Sequence, residues 1–207
     1  MNKLEEYESK INYSQSPMSS IKAVFLDRDG IINLDKGYVY LWEEFEFLPK
    51  AIDAMHSLVI AGYLLVIVTN QSGIARGKYT EDQYWELTKK LLEFLRTKGI
   101  KIAGTYHCPH HVQGKIPDLS FECDCRKPKP GLLLRAAKEH DINMEESVMI
   151  GDMLSDIQAA RAAGIGETYL VRSSNKDNPL SSNEADFVCD DLFACVKKIL
   201  TDRIENT

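Results

Sequence analysis

No hydrophobic run in this chain is long enough to cross a bilayer. The longest apolar stretches, such as Leu64 to Val68, fall far short of the roughly 20 residues a spanning helix needs. Residues 1 to 20 are polar and lack the apolar centre of a secretory signal. Nor is there an excess of basic residues. With 25 Lys and Arg against 31 Asp and Glu, the formal charge is -6. That balance argues against extended contact with DNA or RNA, which is driven by neutralising phosphates. Cysteine is scarce, and three of the five bunch at Cys108, Cys123 and Cys125 beside a run of histidines. Such bunching suggests a metal site more than a disulfide scaffold. With membrane, secretion and nucleic-acid classes set aside, the expectation is a cytoplasmic protein, monomeric, acting on a small ligand.

What is present suffices for one core. The 44% hydrophobic and 27% charged residues are ordinary for a globular chain, and 207 residues hold one catalytic domain with a small loop module. Residues 1–20, rich in Ser, Asn and Glu, read as a loose extension in which Leu4 to Ile11 could form a short helix, and residues 21–207 as the domain. Buried strands are expected at Ile21 to Leu26, Tyr63 to Val68, 100 to 107, Ser147 to Ile150, Tyr169 to Val171 and Phe187 to Val188. Helical periodicity marks Pro49 to Ala61, a segment from Thr80 toward Gly99, Gly131 to His140, Ser155 to Ala163 and Leu192 to Ile199. Thr80 can cap its helix with Gln83 completing a capping box. Cys189 and Cys195 read as buried free thiols, and the polar stretch Ser173 to Glu184 as a surface connection. Alternating strands and helices predict an α/β fold, a Rossmann-like three-layer parallel sheet.

The strongest local signal is Asp27-Arg28-Asp29-Gly30 at the carboxyl end of the first strand. In parallel α/β folds ligands bind at that edge of the sheet. An aspartate there can attack phosphorus and become an aspartyl phosphate. A second carboxylate two positions on can protonate the departing alkoxide and later take a proton from water. Two carboxylates beside a phosphate need a cation, and Asp152, after the strand ending at Ile150, can complete an oxygen site suited to magnesium. Asp156 could join it directly or stand behind it. Thr69 and Asn70 end another strand, where a hydroxyl and main-chain amides can hold phosphate oxygens, and Lys127 offers positive charge.

Cys108-Pro109-His110-His111 and Cys123-Asp124-Cys125 bring three thiols and an imidazole into one loop, residues 108–125. Cys108, His110, Cys123 and Cys125 suit a closed tetrahedral zinc site, with His107 and His111 still open by spacing alone. Zinc there would organise the loop and fix Arg126 and Lys127, which follow at once. Lys127 would lie on the transferring phosphate, and the planar fork of Arg126 would serve the rest of the substrate.

Taken together these motifs resemble the haloacid dehalogenase superfamily, in particular its branch of bacterial heptose bisphosphate and histidinol-phosphate phosphatases. Asp27 to Gly30, Thr69-Asn70, Lys127, and Gly151-Asp152 with Asp156 match its four motifs in order. The resemblance implies Asp27 as nucleophile and Asp29 as general acid and base. It implies Asp27, Asp152 and the main-chain carbonyl of Asp29 as magnesium ligands, and the zinc loop in place of a large cap domain. The stretches 33–39 and 69–77 look like the substrate-facing loops of the heptose enzymes. By that likeness Arg28, Asp35, Lys36, Gly37, Tyr38, Thr69, Asn70, Gln71, Ser72, Arg126 and Lys127 would bind substrate. The implied reaction removes the 7-phosphate of D-glycero-D-manno-heptose 1,7-bisphosphate for activated-heptose synthesis, with the anomer left open. Met153 stands where many of the branch carry lysine, removing one cationic contact. Histidinol phosphate is the alternative substrate, and a noncatalytic phosphosugar sensor is the alternative of another class. The sensor is disfavoured because binding alone needs neither Asp27 nor Asp29.

Overall fold

The computed structural model describes residues 21–172 and 184–205. The expectations for residues 1–20 and for most of the Ser173 to Glu184 stretch lie outside the described residues. Among them no helix is long and apolar enough to cross a membrane.

Among the described residues six strands form one parallel sheet: β1 (Ala23–Leu26), β2 (Leu64–Asn70), β3 (Ile102–Cys108), β4 (Val148–Gly151), β5 (Glu167–Val171) and β6 (Phe187–Cys189), in the order β3-β2-β1-β4-β5-β6. Among the described residues five α-helices accompany them: α1 (Ala51–Ile60), α2 (Glu81–Thr97), α3 (Gly131–His140), α4 (Leu154–Ala162) and α5 (Leu192–Glu205). The period of two along each strand sends side chains to opposite faces. On one face Val24, Leu26, Leu65 and Ile67 pack against Met55 and Leu58 of α1, Leu91 and Leu95 of α2, and Val196 and Ile199 of α5. On the other, Phe25, Val66, Val68 and Met149 meet Leu132, Leu133 and Ala136 of α3 and Ala159 and Ala160 of α4. The expected three layers are therefore present.

Several ends differ from the sequence expectations. Thr69 and Asn70 lie inside β2, because their pairing with His107 and Cys108 carries the β2–β3 ladder to the top of the sheet. Cys108 is correspondingly the last residue of β3, and α5 runs past Ile199 to Glu205. The capping box of α2 forms as expected: Gln83 N donates to Thr80 Oγ1 at 3.2 Å and Thr80 N to Gln83 Oε1 at 2.9 Å. The strand order reverses between β1 and β4, a crevice into which both strand ends open.

Candidate active site and metal clusters

Main-chain pairing continues one residue past β1, where Asp27 N donates to Ile150 O at 3.1 Å. This places the Asp27 carboxylate opposite the loop that follows β4. A cavity of about 490 Å3 opens there, lined by Asp27, Asp29, Thr69, Lys127, Asp152 and Asp156 at its floor. Asp35, Gly37, Tyr38, Asn70, Gln71, Ser72, Arg126 and Met153 also face it.

Lys127 sits at the centre, only 3% exposed. Its ammonium donates to Asp27 Oδ1 at 2.8 Å and to Val68 O at 2.8 Å, and lies 2.5 Å from Asp156 Oδ1. Burial opposes its charge, but Asp156 and Asp27 together raise its pKa above the usual lysine value. Asn70 holds the lysine in place. Its Nδ2 donates to Lys127 O, and its Oδ1 accepts from Lys127 N, each at 3.1 Å. The Asn70 carboxamide is thus engaged with the Lys127 main chain, which leaves the expected phosphate contacts here to main-chain amides. Asp156 also accepts from Met153 N at 3.0 Å, so at the cavity wall it is held as the partner of Lys127.

Two residues expected at the substrate stand elsewhere. Arg28 is 2% exposed and does not line the cavity. Its guanidinium lies under Asp29, donating to Oδ1 at 3.0 Å and Oδ2 at 2.9 Å, and to Val39 O at 2.9 Å. Side chains of successive extended residues point to opposite faces, so the residue after Asp27 turns away from the cavity. Lys36 points outward, 2.9 Å from Glu46 Oε2, and donates to Glu44 O at 3.3 Å. Conversely, Tyr79 and Ser155 line the cavity although the sequence placed neither there, and Gly73 of the 69–77 stretch joins them. Gly73 was the available signal for Tyr79: a Cβ there would sit 2.2 Å from the Tyr79 ring.

Oxygens of Asp27, Asp152 and Asp156 lie within 4.8 Å of one another. Burial, followed by the neighbouring carboxylates, pushes the Asp27 carboxyl up to about 7 and that of Asp152 up to about 8, with Lys127 pulling both down. One lysine does not balance three buried carboxylates, so an all-oxygen site of this charge fits a hard divalent cation. Glycine makes room for the Asp152 carboxylate: with Gly30 at φ +85°, a Cβ would fall 2.4 Å from Asp152 Oδ2.

A second cluster gathers Cys108, His110, Cys123 and Cys125, again within 4.8 Å. Cys108 Sγ is 3.5 Å from Cys123 Sγ, Cys125 Sγ is 3.3 Å from Cys123 Sγ, and His110 Nδ1 is 3.3 Å from Cys125 Sγ. All three thiols are free. Ligands about 2.3 Å from a tetrahedral ion lie about 3.8 Å apart, so this cluster has the size of a closed metal site. The two rival histidines are committed elsewhere. His107 meets Glu81 Oε1 at 2.8 Å and stacks on Tyr84, and His111 Nε2 lies 3.1 Å from Arg76 Nη2.

Comparison with known proteins fits this arrangement. A family model described as "HAD-hyrolase-like" matches residues 124–195. The D-glycero-beta-D-manno-heptose-1,7-bisphosphate 7-phosphatase of Escherichia coli (strain K12) is 49% identical over 182 residues, 86% of this chain and 95% of that protein. The chain belongs to the haloacid dehalogenase phosphatases. Its likeness to the 7-phosphatase of Yersinia pestis is 45% over 180 residues, 87% of this chain and 96% of that one. A D,D-heptose 1,7-bisphosphate phosphatase from B. bronchiseptica, solved with magnesium and phosphate, superposes with a TM-score of 0.74 at 32% identity, covering 88% of this chain and 99% of that one. In this haloacid dehalogenase phosphatase the first-motif and fourth-motif aspartates therefore meet across the strand-order reversal, with the third-motif lysine between them.

Proposed function

We propose that this magnesium-dependent phosphoric monoester hydrolase removes the 7-phosphate of D-glycero-D-manno-heptose 1,7-bisphosphate and leaves the 1-phosphate, in activated-heptose synthesis. The observation that carries the reading is the likeness, over most of both chains, to 7-phosphatases named for the β anomer. The β anomer is accordingly the preferred one.

In the first displacement an Asp27 carboxylate oxygen bonds to phosphorus as the bond from phosphorus to the C7 oxygen breaks. A proton from the Asp29 carboxyl goes to that leaving oxygen. In the second, water attacks phosphorus, the Asp29 carboxylate takes its proton, and the bond to Asp27 breaks to release phosphate. The Thr69 hydroxyl and the main-chain amides after β2 would hold the nonbridging oxygens, while the Lys127 charge beside Asp27 offsets theirs. Asp27, Asp152 and the main-chain carbonyl of Asp29 would hold magnesium, which when bound orients the phosphate and balances charge on its oxygens. Asp35, Gly37, Tyr38, Ser72 and Arg126 on the cavity wall would meet the sugar and the retained phosphate.

Zinc on Cys108, His110, Cys123 and Cys125 would organise the loop beside the cavity mouth. Arg126 Nη1 donates to His110 O at 3.4 Å, which ties that guanidinium to the cluster. The loop serves in place of a large cap, a reading supported by the short connections 27–50 and 109–130, neither long enough for a separate domain. Residues 21–207 then form one domain, and reduced thiol ligands suit the cytoplasm.

The test is kcat/KM for both heptose anomers, histidinol phosphate and several sugar monophosphates, with the product located by phosphorus NMR. Preference for the β bisphosphate and a 1-phosphate product are expected. Preference for histidinol phosphate, or loss of the anomeric phosphate, overturns the substrate assignment, and absence of magnesium-dependent turnover returns the sensor reading.

A further inference from the structure

Gln71 faces the cavity, yet its carboxamide has nothing left to offer a substrate. Its Nε2 donates to Asp29 Oδ2 at 2.9 Å and to Thr69 Oγ1 at 2.8 Å, which uses both amide hydrogens. Its Oε1 accepts a short hydrogen bond from the Tyr79 hydroxyl and a longer one, 3.4 Å, from Arg28 Nη2. The orientation of the amide follows from its neighbours. Arg28 can only donate, and burial raises the Tyr79 phenol well above its ordinary pKa, so that it too keeps its proton. The amide oxygen must face these two donors, and the NH2 group must face the carboxylate.

One consequence falls on Thr69. Because its Oγ1 accepts from Gln71, its own O–H is turned away from Gln71 and is available to a phosphate oxygen in the cavity. The other falls on Asp29, whose Oδ2 is held by the same NH2 group while Asn33 Nδ2 donates to Oδ1 at 2.9 Å. Tyr79 is itself firmly placed. It is 6% exposed, its ring stacks on Tyr40 with centroids 5.2 Å apart, and it packs against the main chain at Gly73, where no Cβ would fit.

We propose that Tyr79 is a positioning residue for phosphoryl transfer, acting through Gln71 on two groups that face the reacting phosphate. It sets the Gln71 amide, which in turn directs the Thr69 hydroxyl proton into the cavity and aims the Asp29 carboxylate. The inference rests on the phosphatase reading above and adds to it a cavity-wall residue whose hydroxyl acts through Gln71.

Tyr79→Phe removes only the phenol oxygen and leaves the ring between Tyr40 and Gly73. Its kcat on the heptose bisphosphate should fall about tenfold, the order set by one lost hydrogen bond in a preorganised site, with KM unchanged within about twofold. Gln71→Met should fall further, because both donors go. In the Gln71→Met background, adding Tyr79→Phe should change kcat by less than about twofold, since the route from Tyr79 is already cut. Independent, multiplying losses in the double variant would overturn the proposal, as would wild-type kcat in Tyr79→Phe. Should Tyr79→Phe not fold, wild-type kcat in Gln71→Met overturns it alone. A wild-type protein without turnover would take down the phosphatase reading as well, whereas wild-type turnover with insensitive variants sinks only this inference.

Discussion

Lys127 Nζ stands 2.8 Å from Asp27 Oδ1, although 100 positions separate the two residues in the chain. The contact joins the carboxylate that would attack phosphorus to the charge that would offset the phosphate. Lys127→Met leaves Asp27 and Asp156 buried without their cation. The expected losses are about 10²- to 10³-fold in kcat/KM and about 3–5 kcal/mol in unfolding free energy. Steady-state kinetics and denaturant titration check both, and activity within tenfold of wild type contradicts the role.

Asp27→Asn keeps an acceptor for Lys127 but lacks the nucleophilic charge. Its kcat should drop by at least about 10⁴-fold with little change in thermal midpoint. Trapping the phosphoenzyme of the wild type and mapping the phosphate by mass spectrometry should locate it on Asp27. Phosphate on any other side chain removes the mechanism.

Natively purified protein should carry one zinc per chain by elemental analysis, distinct from exchangeable magnesium, because thiolates favour the softer ion. Cys123→Ser should lose that zinc, speed amide exchange across residues 109–125, and lower the thermal midpoint by at least about 5 °C. Activity should fall with it through Arg126. Zinc-free protein with an ordered loop and full activity would dismiss the scaffold.

Gly30→Ala places a methyl 2.4 Å from Asp152 Oδ2 at a φ of +85°, so magnesium affinity should weaken by at least about tenfold. Gly62→Ala is the control: its φ is +84°, but nothing lies within 4 Å of the new carbon. Both variants should lose about 1–2 kcal/mol of stability from the backbone, and only the first should need more magnesium. Equal magnesium requirements would show that Gly30 does not make room for Asp152.

Burial alone would raise the Asp186 carboxyl, but the bond from Arg161 and the donors of Thr168 hold it below the usual carboxylate range. The ionised form is therefore favoured by folding. Its contribution is fully present above the unfolded value of about 4 and is lost as pH falls through the lower folded value. Asp186→Asn should be less stable than wild type at neutral pH, with the gap closing below about pH 4. Urea titrations from pH 3 to about 7 test the sign, and a gap that widens in acid refutes it.

Much of this protein was legible in its residues taken in order. Apolar runs marked the strands because a strand covered on both faces has no polar side to show. Thr80 and Gln83 marked the start of α2 because a capping box is a local contact. The thiols and the motif aspartates announced two groups of metal-type donors through their atoms alone. Where side chains ended up was a different matter, because it depends on what the folded chain brings beside them. Asn70 and Lys127 lie 57 positions apart, and nothing local tells that the asparagine clamps the lysine main chain. His110 rather than His107 or His111 completes the thiol cluster because Glu81 with Tyr84, and Arg76, take the other two rings. Arg28 follows Asp27 in sequence yet turns beneath Asp29, and the Tyr79 hydroxyl meets Gln71 across eight positions of chain. Strand alternation, a buried acceptor and a missing glycine Cβ decided these placements, and each acts only once the sheet has formed.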